Sequence, residues 1–239
     1  MQYFLTAPQL ERMEKGLKAA IAIPFIDDIE DYVVEAILEY AKGIEGIDPF
    51  TNIRSKRLYD VVDAKTRIGY SVKSLKWGFQ AGKESEFELV IQRADIFKKA
   101  ETLGFGHLNI DSDPQKLGAA LLRHWRIKVE EDAAFQGVED KRVFVLLKSG
   151  SNRRFAFFEE DIKLYQEDEI AWRWTDDTKT GLQGIRKEDR MCVYRWYSNQ
   201  KQFFERFRLP TNIQNLELKP VRLAKEQVVD ILLPYLEEH

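Results

Sequence analysis

The chain has 239 residues, 44% of them hydrophobic and 32% charged, which supplies a real core and excludes general disorder. Its single cysteine, Cys192, excludes an intramolecular disulfide and a CxxC metal site and fits a reducing cytoplasm. The net charge of −3 excludes a uniformly basic protein, so any affinity for a polyanion has to come from local patches.

The opening residues lack a basic region followed by a long apolar run, which predicts no signal peptide. No apolar stretch is long enough to span a membrane. A first helix is expected from about Pro8 to Ala22, capped by Thr6. A second is expected from Phe25 to Lys42, ending at Gly43, with Ile26, Ile29, Val33, Ile37 and Tyr40 as its apolar stripe. The period then changes to two. Leu58 to Asp63 and Ile68 to Leu75 read as strands around the polar turn Ala64-Lys65-Thr66-Arg67, and Phe87 to Arg93 reads as a third. A helix follows from about Pro114 to Phe135. Arg142 to Lys148 is apolar almost throughout, as a strand buried on both faces is. Strands are expected again at Arg153 to Phe158, Glu169 to Trp174 and Met191 to Tyr197, and a closing helix from Ala224 to Glu237. The fold class is therefore α/β. Residues 1–150 form one core and residues 151–239 a β-rich extension with its closing helix, packed as one globular unit.

Charge is distributed unevenly. Ala22 to Asp48 is acidic, whereas Arg54 to Lys76 and Arg173 to Arg208 are basic, so one face can attract a polyanion at low salt. The chemistry concentrates in YDVVDAKTRIGYSVKSLKW. A hairpin turning at Lys65-Thr66 pairs residues whose numbers sum to 131, which sets Asp60 opposite Ser71. Alternation by two then places Asp60, Ser71 and Lys73 on one face and Asp63 on the other. Directly opposed Cβ atoms lie roughly 4.5–5.5 Å apart, close enough for one cation and its waters. A carboxylate that holds Mg²⁺ and an ammonium that stabilises transition-state charge are what phosphodiester hydrolysis needs. One carboxylate is a poor magnesium site, and the third strand offers more oxygen donors: strict alternation puts Glu86, Glu88 and Gln92 on one face.

These residues resemble the PD-(D/E)XK nuclease superfamily, in particular type II restriction endonucleases. The resemblance covers roughly residues 25 to 148 and implies an αβββαβ core with a mixed central sheet flanked by helices. It implies that Asp60 is the metal-binding aspartate and that Ser71-Val72-Lys73 stands where the family has (D/E)xK. Ser71 departs from that pattern. The departure is similar to a restriction-enzyme subgroup with (S/T)xK and a glutamate about a dozen residues later. Glu86 fits that spacing, and Glu88 lies deeper in the strand. The family's helix-borne acid corresponds to Glu30 or Glu35, and Gln92 resembles a strand-borne glutamine of some relatives. The implied activity is Mg²⁺-dependent, sequence-specific cleavage of double-stranded DNA by a homodimer, with Asp60 and Glu86 or Glu88 on the metal, Lys73 supporting the transition state, and Ser71 positioning a water or backbone.

Target recognition is expected from the basic and amide residues Lys76, Arg173, Arg186, Arg190, Arg195, Asn199, Gln200 and Lys201, because Arg, Asn and Gln make bidentate contacts to base edges. Trp172, Trp174 and Trp196 have strand spacing and read as core. The chain lacks GxxxxGK[ST], so no nucleotide cofactor is expected. His107, His124 and His239 are too scattered for a zinc site, and Cys192 has no histidine base nearby in sequence.

Overall fold

The computed structural model describes residues 2–25, 28–45, 57–78, 86–151, 153–219 and 222–237. The chain forms two compact units, each assembled from separated segments. The first holds Met1–Ala81, Ala133–Ile162 and Asn212–His239; the second holds Gly82–Asp132 and Lys163–Thr211. Residues 1–150 and 151–239 thus each contribute to both units. The protein is α/β, with one mixed sheet and one antiparallel sheet flanked by helices. Among the described residues no helix is long and apolar enough to cross a membrane.

The first unit opens with strand β1 (Gln2–Tyr3) and helix α1 (Ala7–Ala22). Thr6 caps α1 in a reciprocal box: its hydroxyl accepts from Gln9 N–H and the Gln9 side chain accepts from Thr6 N–H. Helix α2 (Asp31–Lys42) starts six residues later than the sequence suggests, because Glu30 is extended and serves as its N-cap. It ends at Gly43, whose φ of 72° needs the left-handed freedom of glycine. The buried face of α2 is Val34, Ile37, Leu38 and Ala41, while Tyr40 is exposed. The expected stripe through Val33 and Tyr40 was thus displaced by one residue on the helix surface; Ile26 lies outside the described residues, and Ile29 is buried ahead of the helix.

Strands β2 (Val61–Asp63), β3 (Ile68–Lys76), β5 (Asp140–Lys148), β6 (Arg154–Asp161) and β11 (Gln214–Glu217) join β1 in a six-stranded sheet of order β1-β6-β5-β3-β2, with β11 also on β6. Among the described strands of this sheet, β3 and β5 run parallel and the other pairs antiparallel. Tyr70, Val72, Phe144, Leu146, Phe155 and Phe157 on one face of this sheet share a core with Met13 and Leu17 of α1 and the buried face of α2. Each fully buried side chain of this size stabilises by about 1.5–3 kcal/mol. A buried ion network interrupts that core. Glu159 accepts from Lys42 at 2.7 Å and from Arg142 at 2.6 Å, and the Arg142 guanidinium lies 3.5 Å from the centre of the Tyr3 ring. Burial pushes the Tyr70 hydroxyl pKa up, beside this network.

The second unit contains a five-stranded antiparallel sheet of order β4-β10-β9-β8-β7, made of β4 (Glu86–Arg93), β7 (Ile170–Trp174), β8 (Gly181–Arg186), β9 (Cys192–Tyr197) and β10 (Gln202–Arg208). The strand expected as the third of the αβββαβ core is β4. It pairs with β10 here, not with β2 or β3. The cross-strand pairs explain the choice: Phe87 stacks on Phe207 at 5.7 Å, and Glu88 and Glu86 stand opposite Arg206 and Arg208. The short helix α3 (Ile96–Lys99) follows β4, and helix α4 (Pro114–Gln136) begins in this unit. Trp172 and Trp196 are buried, as expected of core residues. The chain closes with α5 (Lys225–Glu237).

Gly118 of α4 sits directly against the Trp172 ring. A Cβ there would come within 2.2 Å of it, and the far edge of the same ring meets Gly184, where an added Cβ would come within 2.9 Å. Alanine favours an isolated helix over glycine by about 1 kcal/mol, but overpacking costs about 1–3 kcal/mol, and a ring wedged from both sides has little room to move. Gly118→Ala will therefore lower the urea midpoint followed by tryptophan fluorescence; an unchanged or higher midpoint would show that the ring moves freely.

Candidate active site

The hairpin forms in the expected register. Val61 pairs with Tyr70, Val62 with Gly69 and Asp63 with Ile68. The turn explains why. Asp63 accepts from Lys65 N–H at 3.0 Å and from the Thr66 hydroxyl at 2.7 Å, closing an Asx turn. Burial raises the Asp63 pKa, but these bonds outweigh it and hold the carboxyl below its ordinary value. Asp63 is a turn residue on the opposite side from the site. One residue further along the register, Asp60 N–H donates to Tyr70 at 2.9 Å, which carries the ladder up to Asp60.

The Asp60 carboxylate is held by the neighbouring strand. Its Oδ2 accepts from Val72 N–H at 2.8 Å and lies 4.0 Å from Lys73 Nζ. Both side chains are about one-quarter exposed, at 26% each, so water and a ligand can reach the pair. Between them in sequence, the Ser71 hydroxyl is buried and has no hydrogen-bond partner among the described residues. The hairpin thus brings together the carboxylate and the ammonium, with a buried hydroxyl on the same strand face. This geometry can hold an anionic group at the ammonium and a hard cation or a proton at the carboxylate.

Glu86, Glu88 and Gln92 lie on β4, in the other sheet. Glu86 is paired with Arg206 at 3.2 Å and Arg208 at 3.2 Å; Glu88 is paired with Arg195 at 2.9 Å and Arg206 at 3.3 Å. The negative charge that each could offer a cation is already matched. Gln92 does not share their face. A β-bulge shifts the pairing so that Val90 opposes Phe204 while Gln92 opposes the buried Phe203. The extra residue, Ile91, breaks the alternation by two and turns Gln92 inward, where its Nε2 is buried without a partner.

The helix-borne acids also differ from expectation. Glu30 is the exposed N-cap of α2 and makes no side-chain cap bond, and Glu35 lies within the helix. The acids that reach β3 are Asp31, bonded to the Ser74 hydroxyl, and Asp28, paired with Lys76 at 3.0 Å. Asp28 also meets the buried Lys148 at 3.1 Å. Burial raises the Asp28 pKa, but hydrogen bonds from Lys76 and Lys148 prevail and hold it low. Ser74 and Lys76 share a face with Val72, opposite to Ser71 and Lys73, so Asp28 and Asp31 serve the helix side of the sheet. Sequence reasoning passed over Asp28 and Lys148 because neither carries a local motif.

The basic residues after residue 150 scatter. Arg186 is clamped by Asp189 at 2.9 Å and by the Tyr165 hydroxyl at 3.0 Å, and its guanidinium pulls the Asp189 pKa to about 2. Arg190 is exposed in the turn before β9, whereas Asn199, Gln200 and Lys201 lie in the turn after it. Those two turns are at opposite ends of one strand. Lys201 is also paired with Asp95 at 2.6 Å. Arg186 and Arg190 flank one turn, where Arg190 N–H donates to the Arg186 carbonyl at 2.9 Å, and Arg173 and Arg195 share one row on β7 and β9 with Gln183 between them.

Magnesium binds through one or two carboxylates, with waters and substrate phosphate oxygens completing six positions. Among the described residues no group of three or more His, Cys, Asp or Glu side chains could hold a metal ion. Asp60 supplies one carboxylate, a weak magnesium site by itself, so an ion held there would keep most of its waters and need further oxygen donors from outside the hairpin. Comparison with known proteins adds nothing to this geometry: no family model, no curated protein and no solved structure matches the chain.

Proposed function

We propose that the protein is a DNA endonuclease of the restriction type, hydrolysing phosphodiester bonds in double-stranded DNA at the Asp60–Lys73 pair. The single observation that carries this reading is the carboxylate–ammonium pair at 4.0 Å, mounted on a hairpin whose second strand runs parallel to β5 in a mixed sheet. In the proposal Lys73 faces the scissile phosphate and stabilises the extra negative charge of the transition state. Asp60 would hold Mg²⁺, which supplies charge neutralisation and an acidified water when bound. Val72 N–H fixes the orientation of Asp60. The Ser71 hydroxyl, buried and without a hydrogen-bond partner among the described residues, would position a water or the backbone beside this pair. Cutting both strands requires two such sites, so the acting species is a homodimer. The resemblance adds Glu86 or Glu88 to the metal; both belong to the second unit, where arginines engage them.

That arginine pairing favours a second reading, a nucleic-acid-binding module that does not cut. A repair or transposon-type nuclease shares the first chemistry and differs in substrate. One experiment separates the three. Mixed-sequence duplex DNA is incubated with the chain and Mg²⁺ and the new ends are sequenced. Ends at one recurrent site support a restriction enzyme, and ends only at damaged or branched sites support the repair type. No ends at any Mg²⁺ concentration overturn the proposal.

A further inference from the structure

The buried face of the five-stranded sheet carries Leu89, Tyr194, Trp196, Phe203 and Phe207, and its other face is open. The strand registers align one row across the open face: Arg173 on β7, Gln183 on β8, Arg195 on β9, Phe204 on β10 and Val90 on β4. With the Gln183 amide oxygen turned to Arg173, it accepts from Nε at 2.7 Å and Nη2 at 3.2 Å. Tyr197 packs edge-on to Phe204 at 5.3 Å, and the Arg195 guanidinium lies 5.9 Å from the centre of the Tyr197 ring. Arg206 and Arg208 continue the face toward β4. Arg93, opposite Gln202, lies on the same face, so five described arginines share it with two glutamates, Glu86 and Glu88, and leave it net positive.

We propose that this open sheet face is a binding platform for single-stranded nucleic acid. Three features select that ligand. A net positive face with partly exposed aromatic residues offers phosphate contacts and base stacking together. The face is too broad for a groove: five strands about 4.8 Å apart span roughly 19 Å, whereas a major groove about 12 Å wide admits a helix or a two-stranded ribbon. Finally, a duplex lying on the surface would meet Glu86 and Glu88 with its phosphates, while a single strand can turn its bases to the sheet and its phosphates to Arg173. The inference does not rest on cleavage, and it holds for a nuclease that grips an opened stretch of its substrate as well as for a module that never cuts.

The test measures binding by the full chain in EDTA, using fluorescence anisotropy. The probes are a labelled 20-nucleotide single strand of mixed sequence as DNA, the same strand as RNA, and the 20-base-pair duplex. At least one single strand is expected to bind about tenfold more tightly than the duplex, and the DNA and RNA arms identify the sugar. Phe204→Leu, which keeps an apolar side chain and removes the π face, is expected to weaken single-strand binding about tenfold and leave the duplex unchanged. Arg173→Gln is expected to reduce the slope of log K against log salt by about 0.7. Tyr197→Leu serves as a second stacking variant, and near-ultraviolet circular dichroism of the tryptophan-bearing sheet checks folding. Duplex binding equal to or tighter than both single strands overturns the proposal, as does unchanged single-strand affinity in the folded Phe204→Leu and Tyr197→Leu variants. Asp60→Asn is expected to leave these affinities unchanged, so loss of cleavage and loss of this platform are separable.

Discussion

On the proposed function, Lys73→Ala is expected to slow DNA cleavage by about 10²–10³-fold, the loss seen when one preorganised charge-stabilising donor is removed. The effect should fall on kcat, because the ammonium works hardest when the phosphate carries its extra charge. Duplex affinity measured in EDTA should change little, since Lys73 removes at most one phosphate contact. Stability should hardly move. The Lys73–Asp60 pair is long, at 4.0 Å, and both groups are partly solvated, which places it with pairs worth about 0–1 kcal/mol. A structural role for Lys73 would give the opposite pattern, a fall in the urea midpoint with cleavage following the folded fraction. Asp60→Asn tests the other half of the pair. An amide oxygen can still accept from Val72 N–H, which keeps the hairpin together, but the negative charge is gone. Cleavage should drop by a similar factor with the midpoint intact. Single-turnover rates on one plasmid substrate decide the matter, and wild-type rates in both variants would remove Asp60 and Lys73 from the mechanism.

How much of this site could be read from residues alone follows the range of the interactions involved. The hairpin register was legible because its determinants are local: Asp63, Lys65 and Thr66 build the turn, and the turn sets every pair up to Asp60. The start of α1 and the end of α2 were legible for the same reason, through Thr6 and Gly43, whereas the start of α2 was not. The placement of β4 was not. Its partner, β10, lies more than a hundred residues away, and the Glu88–Arg206 and Phe87–Phe207 pairs that recruit it leave no mark within a short window. Nor was the bulge at Ile91 visible, since a single extra residue inverts the face of Gln92 without changing composition. Strand alternation, applied strictly, had grouped Gln92 with Glu86 and Glu88. β8 escaped notice because Gly181 and Gly184 resemble a loop; a Cβ at Gly184 would crowd the neighbouring Trp172 ring at 2.9 Å, which favours glycine there.

Glu159→Ala is expected to be the most destabilising substitution of a charged residue in the first unit. Glu159 sits at 3% side-chain exposure between Lys42 at 10% and Arg142 at 13%. Assembling such a group is weakly favourable at best, because desolvation offsets the Coulombic gain. Removing the carboxylate alone is different. It leaves two largely buried cations facing each other without the carboxylate that bridged them, a loss of about 3–5 kcal/mol where no other counter-charge remains. Asp140 softens the loss at Arg142, to which it is bonded, whereas Lys42 would retain its position 4.6 Å from the centre of the Tyr70 ring. For a chain of this length that corresponds to a fall in Tm of roughly 10 °C. Glu159→Gln should recover only part of it, since the amide accepts a hydrogen bond but neutralises nothing. The decisive comparison is the triple replacement Lys42→Met, Glu159→Leu and Arg142→Met. If the penalty comes from stranded charge, removing all three charges should restore most of the midpoint lost by Glu159→Ala. If instead the triple variant is less stable than the single one, the network contributes through its geometry, and the Arg142–Tyr3 stack that seats β1 against β6 becomes the part that matters.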